Sequence, residues 1–336
     1  MESNRRADAV LFGFDFQVNA AIVLMLENIS DLSTLKLEGN NEDIDIELRN
    51  GKHILAQAKA IVNSSQDFTN VRNNLKKALK TLAEGSEKVE TEKAIYITNS
   101  PNPLKEEPLK NSIFWGHAHR EYNTLPDSSK DIIASCLHDL EQNFDVEKLT
   151  IQVLPFETDN ESERYKVVMQ VINDFIGDIQ LNISGLGKQL HRIWKNEVFV
   201  NGSKKDPNIK LDKKSLIWPL IVIATDISYI DQEFRERFDS SLYEEVEHKY
   251  KELIDSCCEK MEFFTRILYD YNEYKGAGMG KERCLNFVDE CWQNYVSYFE
   301  SETLDQEVKE ALSKVIMYSV IRRRYEIQKI KKGVVL

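Results

Sequence analysis

The sequence predicts an α/β domain over residues 1–158, followed by a mainly α-helical domain over residues 159–336. Two patterns support this division. Before residue 158, short runs of alternating apolar and polar residues are separated by turns, which is typical of β-strands. After the polar segment 159–162, apolar residues recur every three or four positions, which indicates amphipathic helices.

The first domain is predicted to begin with a buried helix over 14–26, because this segment is almost wholly apolar. Three strands follow, and Asn50-Gly51 forms the hairpin turn between the second and the third. Asp67 caps a helix that Gly85 ends. The predicted strands cover 34–38, 43–48, 53–60, 93–98 and 149–156, and a further helix covers 130–144.

The second domain is predicted to consist of helices joined by polar linkers. Segment 201–212 is rich in Asn, Gly, Lys and Asp and is interpreted as an exposed loop. The glycine-rich segment 276–280 is interpreted as a helix–helix linker, because neither a preceding strand nor a following Lys-Ser/Thr supports a phosphate-binding loop. The predicted helices cover 165–179, 186–195, 232–274, 281–300 and 305–331.

Composition restricts the class of protein. The net charge of −12 argues against a protein that coats nucleic acid by itself, although it is compatible with a nuclease that has a local basic surface. We expect no membrane helix and no secretory signal. The odd number of cysteines and the absence of a C-x-x-C pair favour reduced thiols and a cytoplasmic location. The five are Cys136, Cys257, Cys258, Cys284 and Cys291.

The most informative residues lie on the second and third strands. Asp43 opens the second strand, and Gln57 and Lys59 share one face of the third because strand side chains alternate. A carboxylate and an amide oxygen can hold a hard divalent cation beside a lysine. This arrangement of groups can hydrolyse a phosphodiester bond. Asp45 shares the face of Asp43, so either aspartate can be the primary ligand.

A solvated edge hairpin is the alternative interpretation of these residues. Against it, a sheet covered by helices should not carry this many ionisable groups unless they form a site. The segment Gly13-Phe14-Asp15-Phe16-Gln17 upstream also favours a functional interpretation.

Other polar clusters allow two interpretations each. Arg72, Lys76 and Lys80 lie at four-residue steps, with Lys77 beside them, and form either a ridge that contacts a DNA backbone or a solvated helix face. For the basic run 322–324 near the C-terminus, compensation of a helix dipole is preferred to phosphate binding. His117 and His119 are interpreted as polar loop residues, because no metal-binding partner with suitable spacing is nearby.

These motifs resemble the PD-(D/E)xK nuclease superfamily, in the version with Gln in place of the middle acidic residue. They are most similar to DNA endonuclease effectors of bacterial anti-phage defence, found in CBASS effectors and in the Lamassu nuclease subunit, which works beside an SMC-like ATPase. The resemblance covers about the first hundred residues and rests on 13–17, Glu38, Asp43, Gln57 and Lys59. It implies a restriction-endonuclease-like fold for the first domain.

The resemblance also implies a role for each residue. Asp43 would be the principal ligand of Mg²⁺ (or Mn²⁺), and Gln57 would contribute its side-chain carbonyl. Lys59 would position or deprotonate the attacking water and stabilise the charge on the phosphate. Glu38 and Gln17 would be accessory, holding a second metal or a metal-bound water.

The predicted function is therefore a metal-dependent double-stranded DNA endonuclease that acts as the effector of an anti-phage system. The helical domain would bind an SMC-like ATPase or other operon-encoded subunits, or drive homo-oligomerisation, because a free nuclease would damage the host chromosome. The alternative is a non-catalytic scaffold or adaptor subunit that uses the same fold to bind protein or DNA.

Overall fold

The computed structural model describes residues 7–107, 111–140, 144–157, 159–226, 230–255, 260–299 and 304–336. The chain divides into two compact units, the first comprising Met1–Asp178 with Gly187–Lys213 and the second Ile179–Leu186 with Lys214–Leu336. The first unit therefore extends past residue 158, where the sequence predicted a boundary, because it also contains three helices and a short strand from the segment 159–213.

A seven-stranded mixed sheet forms the centre of the first unit, in the order β5-β6-β4-β3-β2-β1-β7. Strands β3, β4 and β6 are parallel, and the remaining pairs are antiparallel. All five predicted strands are present, whereas β5 and β7 were not predicted. The strands are β1 (Leu32–Leu37), β2 (Ile44–Leu48), β3 (His53–Lys59), β4 (Thr91–Thr98), β5 (Ala118–Glu121), β6 (Leu149–Val153) and β7 (Leu211–Asp212).

Helices cover both faces of this sheet, as expected for a sheet with a buried parallel centre. An apolar core joins one face to α2 and α3 through Leu75, Leu79 and Ile133. The helix α1 packs with β1 and β3. The helices of the first unit are α1 (Ala7–Glu27), α2 (Val71–Ser86), α3 (Asp127–His138), α4 (Glu161–Arg164), α5 (Lys166–Asp178) and α6 (Leu186–Ser203).

The first helix is longer than predicted, and its apolar composition bears on the expectation that the chain has no membrane helix. Among the described helices, α1 is long and apolar enough to span a membrane, with a mean hydropathy of 1.8, although no such segment was expected. Asp15 interrupts the apolar run without lowering its average enough to fail this test. Most of the apolar window of α1, 61%, is buried within the fold.

The exposed loop that composition predicted over 201–212 is present only over 204–210. Helix α6 continues to Ser203, and Leu211–Asp212 pairs with β1. The buried side chain of Asn201 accepts a hydrogen bond from Leu37 N at 3.1 Å and donates one to Ile209 O at 2.8 Å. A polar residue that satisfies main-chain groups in this way is structural.

The second unit is helical, as predicted, but its helices are shorter. Within 232–274, the helix ends at Arg235 and a new one begins at Ser240, and the described residues after 259 are helical from Lys260 to Glu273. The segment 305–331 contains two helices that meet at Arg323. Residues 276–279 link two helices, as predicted, and Arg322 lies in a last helical turn, where it suits the helix dipole. The helices are α7 (Lys213–Ala224), α8 (Gln232–Arg235), α9 (Ser240–Asp255), α10 (Lys260–Glu273), α11 (Gly280–Cys291), α12 (Gln306–Arg322) and α13 (Arg324–Gly333).

Three cysteines are free thiols, in agreement with the expectation of reduced cysteines: Cys136, Cys284 and Cys291. Cys257 and Cys258 lie outside the described residues.

One close approach between α2 and the turn before β2 depends on a glycine. A Cβ atom on Gly85 would lie 2.6 Å from Asn41 O and 3.0 Å from Leu55 Cδ1. We predict that Gly85→Ala lowers the free energy of unfolding by about 1–3 kcal/mol, because the main chain of the turn must move. Urea denaturation of the full chain measures this change.

The matched control is Gly177→Ala, since nothing lies within 4 Å of a Cβ atom at this helical position. This substitution should raise stability by about 0.5–1 kcal/mol. Equal stability of the two variants would show that α2 does not constrain the turn.

Candidate active site

The turn between β1 and β2 places three acidic residues close together. Glu38 N donates a hydrogen bond to Asp43 O at 2.7 Å, and Gly39 N donates one to Glu42 O at 3.2 Å. These bonds close the turn and hold Asp43 directly before β2. Glu38 has φ +54°, a left-handed conformation that costs a non-glycine residue roughly 1 kcal/mol. Strained residues of this kind cluster at functional sites, so the conformation is consistent with a use for the Glu38 side chain.

Asp43, Gln57 and Lys59 meet at the end of β3. Asp43 Oδ2 accepts a hydrogen bond from Gln57 Nε2 and another from Ala58 N at 3.1 Å. Lys59 Nζ lies 3.8 Å from the same carboxylate oxygen. The three residues that the sequence singled out therefore form one cluster, in which the main chain of β3 fixes the carboxylate.

The buried amide of Gln57, which is 2% exposed, links this cluster to α2. Its Oε1 accepts a hydrogen bond from the hydroxyl of Thr81. A 180° rotation of the amide would turn Oε1 toward Asp43. Because a hydroxyl both donates and accepts, Thr81 could then accept a hydrogen bond from Nε2. Gln57 can thus offer either a donor or a carbonyl oxygen beside Asp43.

The structure distinguishes Asp43 from Asp45. Asp45 is buried, its Oδ1 lies 2.7 Å from His53 Nδ1, and its Oδ2 accepts a hydrogen bond from Asn41 Nδ2 at 2.7 Å. Both oxygens are therefore engaged in contacts that hold the hairpin. Asp43 is the aspartate that lies beside Gln57 and Lys59.

Sequence analysis missed Glu42, which is 6% exposed. Its Oε2 accepts a hydrogen bond from Asp43 N at 3.0 Å, whereas the buried Oε1 has no hydrogen-bond partner among the described residues. Burial raises the pKa of this carboxyl to about 7. Its position next to Asp43 in the sequence was a possible signal, but nothing in the local pattern predicted its burial.

Gln17 and Glu38, which the sequence predicted as accessory residues, also contact each other. Gln17 of α1 makes a side-chain hydrogen bond to Glu38. Desolvation and the charge of Asp43 raise the pKa of Glu38, and the hydrogen bond from Gln17 partly opposes this shift. The segment 13–17 thus contributes its last residue to the cluster.

The donor set suits a hard divalent cation. Glu38, Glu42 and Asp43 offer carboxylate oxygens from one turn, and Gln57 can offer a carbonyl, which are the ligand types that Mg²⁺ prefers. The raised pKa values of Glu38 and Glu42 mean that their ionised forms are disfavoured in this turn, and a cation beside them would favour ionisation. These residues therefore fit the Mg²⁺ or Mn²⁺ that the family resemblance implies.

The basic side chains on α2 are partly paired. Lys76 Nζ lies 3.1 Å from Asp139 Oδ2, and Lys80 Nζ lies 3.7 Å from Glu84 Oε1. Exposed ion pairs of this kind are worth at most about 1 kcal/mol, so a phosphate can compete for either lysine. Arg72 lies one turn before Lys76 on the same face. Lys77 lies one turn before Thr81 and therefore on the helix face that approaches Gln57.

The interpretation of His117 and His119 as loop residues holds for His117, which lies in the bend before β5, but not for His119. His119 belongs to β5, His117 directly precedes this strand, and both lie beside the carboxylate of Glu27. Burial lowers the pKa of His117 and, together with the charges around it, lowers that of His119 to about 4. Burial raises the pKa of Glu27 to about 7. Glu27, the acidic residue beside the two histidines, lies on α1, so the local spacing of the histidines did not reveal it.

Comparisons with known proteins add little to this geometry. No family profile matches the chain, and no curated protein matches it. Among solved structures, the chain is similar to the Cap4 SAVED/CARF-domain containing receptor of Moraxella osloensis, with 15% identity and a TM-score of 0.39. The match covers 61% of this chain and 46% of that chain, so it spans less than half of the receptor. A likeness at this level assigns neither a fold nor a function.

The conformation of Glu38 yields a prediction. Glu38→Gly should leave the melting temperature unchanged or raised, because glycine adopts φ +54° without strain. The same substitution should weaken Mn²⁺ binding by roughly tenfold, about 1.4 kcal/mol, because a carboxylate is lost from the cluster. Calorimetric titration with Mn²⁺ and a thermal melt measure the two effects.

Gln180→Gly is the control, since Gln180 has φ +56° and belongs to the second unit. It should relieve similar strain without changing Mn²⁺ affinity. If Glu38→Gly binds Mn²⁺ as the wild type does, Glu38 has no part in the site.

Proposed function

We propose that the chain is a metal-dependent endonuclease that hydrolyses phosphodiester bonds of double-stranded DNA. The observation that carries this proposal is the convergence of Gln57, Lys59 and the Ala58 main chain on the Asp43 carboxylate. The unpartnered oxygen of Glu42 beside this carboxylate supports it. A lysine next to clustered carboxylates suits phosphoryl chemistry, in which positioning and charge stabilisation dominate.

Some residues of the cluster would bind the cation, and Lys59 would stabilise the charge on the phosphate. Asp43 and Gln57 would hold the cation, with Glu42 and Glu38 adding negative charge around it. A bound Mg²⁺ supplies a Lewis acid that polarises the phosphate and lowers the pKa of water. Lys59, whose ammonium lies 3.8 Å from Asp43, would orient the attacking water and stabilise the charge that develops on the phosphate. Ala58 N keeps Asp43 in place.

DNA would lie along α2. Arg72, Lys76 and Lys80 would contact backbone phosphates, and Lys77 lies on the face nearest the proposed site. The net charge of −12 predicts weak binding by a single copy. Two paired nuclease domains would raise the effective affinity and place two sites on opposite strands.

The proposed context is bacterial anti-phage defence, and it rests on the family resemblance. The second unit would control cleavage by holding the protein in a complex with an SMC-like ATPase or another defence subunit, or by pairing copies on activation. The alternative is a non-catalytic scaffold that uses this fold to bind DNA or protein. Retention of Asp43, Gln57 and Lys59 as one cluster favours the enzyme.

The enzyme proposal predicts that Lys59→Ala and Asp43→Asn each reduce Mg²⁺-dependent plasmid cleavage by at least about a hundredfold, because the first removes the ammonium that acts at the reacting phosphate and the second removes a charged ligand of the cation. Melting temperatures should stay close to that of the wild type. Cleavage is measured with Mg²⁺ and with EDTA over a concentration series, since the isolated protein should be more active at high concentration or with its operon partners.

Two control variants distinguish a loss of catalysis from a general effect of removing a charge and from a loss of stability. Lys52→Ala removes a lysine that pairs with Glu90 and Glu92, and it should cut normally. Asp45→Asn should lower stability because His53 loses its partner, yet folded protein should cut. Activity in Lys59→Ala, or loss of activity only in Asp45→Asn, would reject the assigned roles.

A further inference from the structure

A second cluster of polar side chains lies on the other face of the sheet. Gln57 lies level with Ile151 of β6, and Ala58 lies level with Gln152. Because neighbouring strand residues point to opposite faces, Gln57 and Gln152 project from opposite sides of the sheet. His119 of β5 pairs directly with Gln152. The second cluster is therefore separate from the proposed nuclease site.

Three metal-ligating side chains converge in this cluster. Glu27, the last residue of α1, approaches both histidines with its Oε1, 3.3 Å from His119 Nε2 and 3.8 Å from His117 Nε2. The two imidazole Nε2 atoms lie 3.1 Å apart. His117 and His119 share one strand face because they are two residues apart.

The spacing of these atoms matches a tetrahedral metal site. Ligand atoms placed 2.0–2.1 Å from a tetrahedral ion are separated from one another by about 3.3–3.4 Å. The three separations between Glu27, His117 and His119 are 3.1, 3.3 and 3.8 Å. Two imidazoles and one carboxylate are ligands that Zn²⁺ commonly accepts.

Gln152 lies at the remaining corner of this arrangement. Its Nε2 is 3.3 Å from both carboxylate oxygens of Glu27, 3.5 Å from His117 Nε2 and 3.4 Å from His119 Nε2. Gln152 is only 1% exposed, whereas the other three side chains are partly exposed and leave a path for an ion. The amide therefore lines the fourth position, where its oxygen or a water would complete the coordination.

We propose that Glu27, His117 and His119 bind one Zn²⁺ ion beside Gln152. The ion would join the end of α1 to β5, the edge strand of the sheet, and to β6. We assign it a structural role because its ligands come from α1 and from the edge strand β5 with the residue before it, so the ion would hold these elements together. The same helix carries Gln17, which contacts Glu38 of the nuclease cluster. Zinc would thus stabilise the helix that contributes to the proposed active site.

The test uses the full chain, stripped of metal with a chelator and titrated with Zn²⁺ alone against a chromophoric competitor. We expect one Zn²⁺ per chain and a higher melting temperature with Zn²⁺. His119→Ala should weaken binding by at least about tenfold and abolish the rise in melting temperature. Co²⁺ in place of Zn²⁺ should give the visible absorption of tetrahedral coordination in the wild type and lose it in this variant.

Two controls locate the ion. His138→Ala, at the exposed end of α3, and Asp43→Asn, in the nuclease cluster, should bind Zn²⁺ as the wild type does. Glu27→Gln, which preserves the side-chain volume, should bind weakly even if His119→Ala fails to fold. Failure of the wild type to bind Zn²⁺ at micromolar concentration, or loss of binding in Asp43→Asn alone, would overturn the proposal.

Discussion

The proposed active site depends on how the Asp43 carboxylate is held against the end of β3. The turn between β1 and β2 brings Asp43 beside Ala58 N, and this main-chain bond orients the carboxylate toward Gln57 and Lys59. Helix α2 supports the arrangement from one side through Thr81 and Gly85. A shift of the turn would separate the carboxylate from the lysine, so the geometry of one hairpin controls the whole cluster.

The acidic residues of this turn have raised pKa values. Burial raises the pKa of Glu42, and burial together with the neighbouring charge of Asp43 raises that of Glu38. A fold without a cation gains nothing from placing these carboxylates together, since each disfavours ionisation of the next. The left-handed conformation of Glu38 adds a further cost. Both costs are explained if the turn is built to receive a divalent cation.

Local patterns predicted the parts of the site that local geometry controls. Alternation along β3 placed Gln57 and Lys59 on one face, and Asn50-Gly51 predicted the hairpin. Glu42 was missed because its burial comes from tertiary packing. The metal partner of His117 and His119 was missed because Glu27 is distant in the chain. The predicted helix over 232–274 was too long, because apolar periodicity continues across the break between α8 and α9.

The two proposed metal sites use opposite faces of one sheet, and α1 contributes Gln17 to the first and Glu27 to the second. The proposed active site requires that a divalent cation binds at Asp43. A crystal structure with Mn²⁺, in which anomalous scattering locates the ion, is the decisive measurement. We expect an anomalous peak between Asp43 and Glu42, with Oε1 of Gln57 turned toward it. A peak at Asp45, or no peak in this turn, would contradict it.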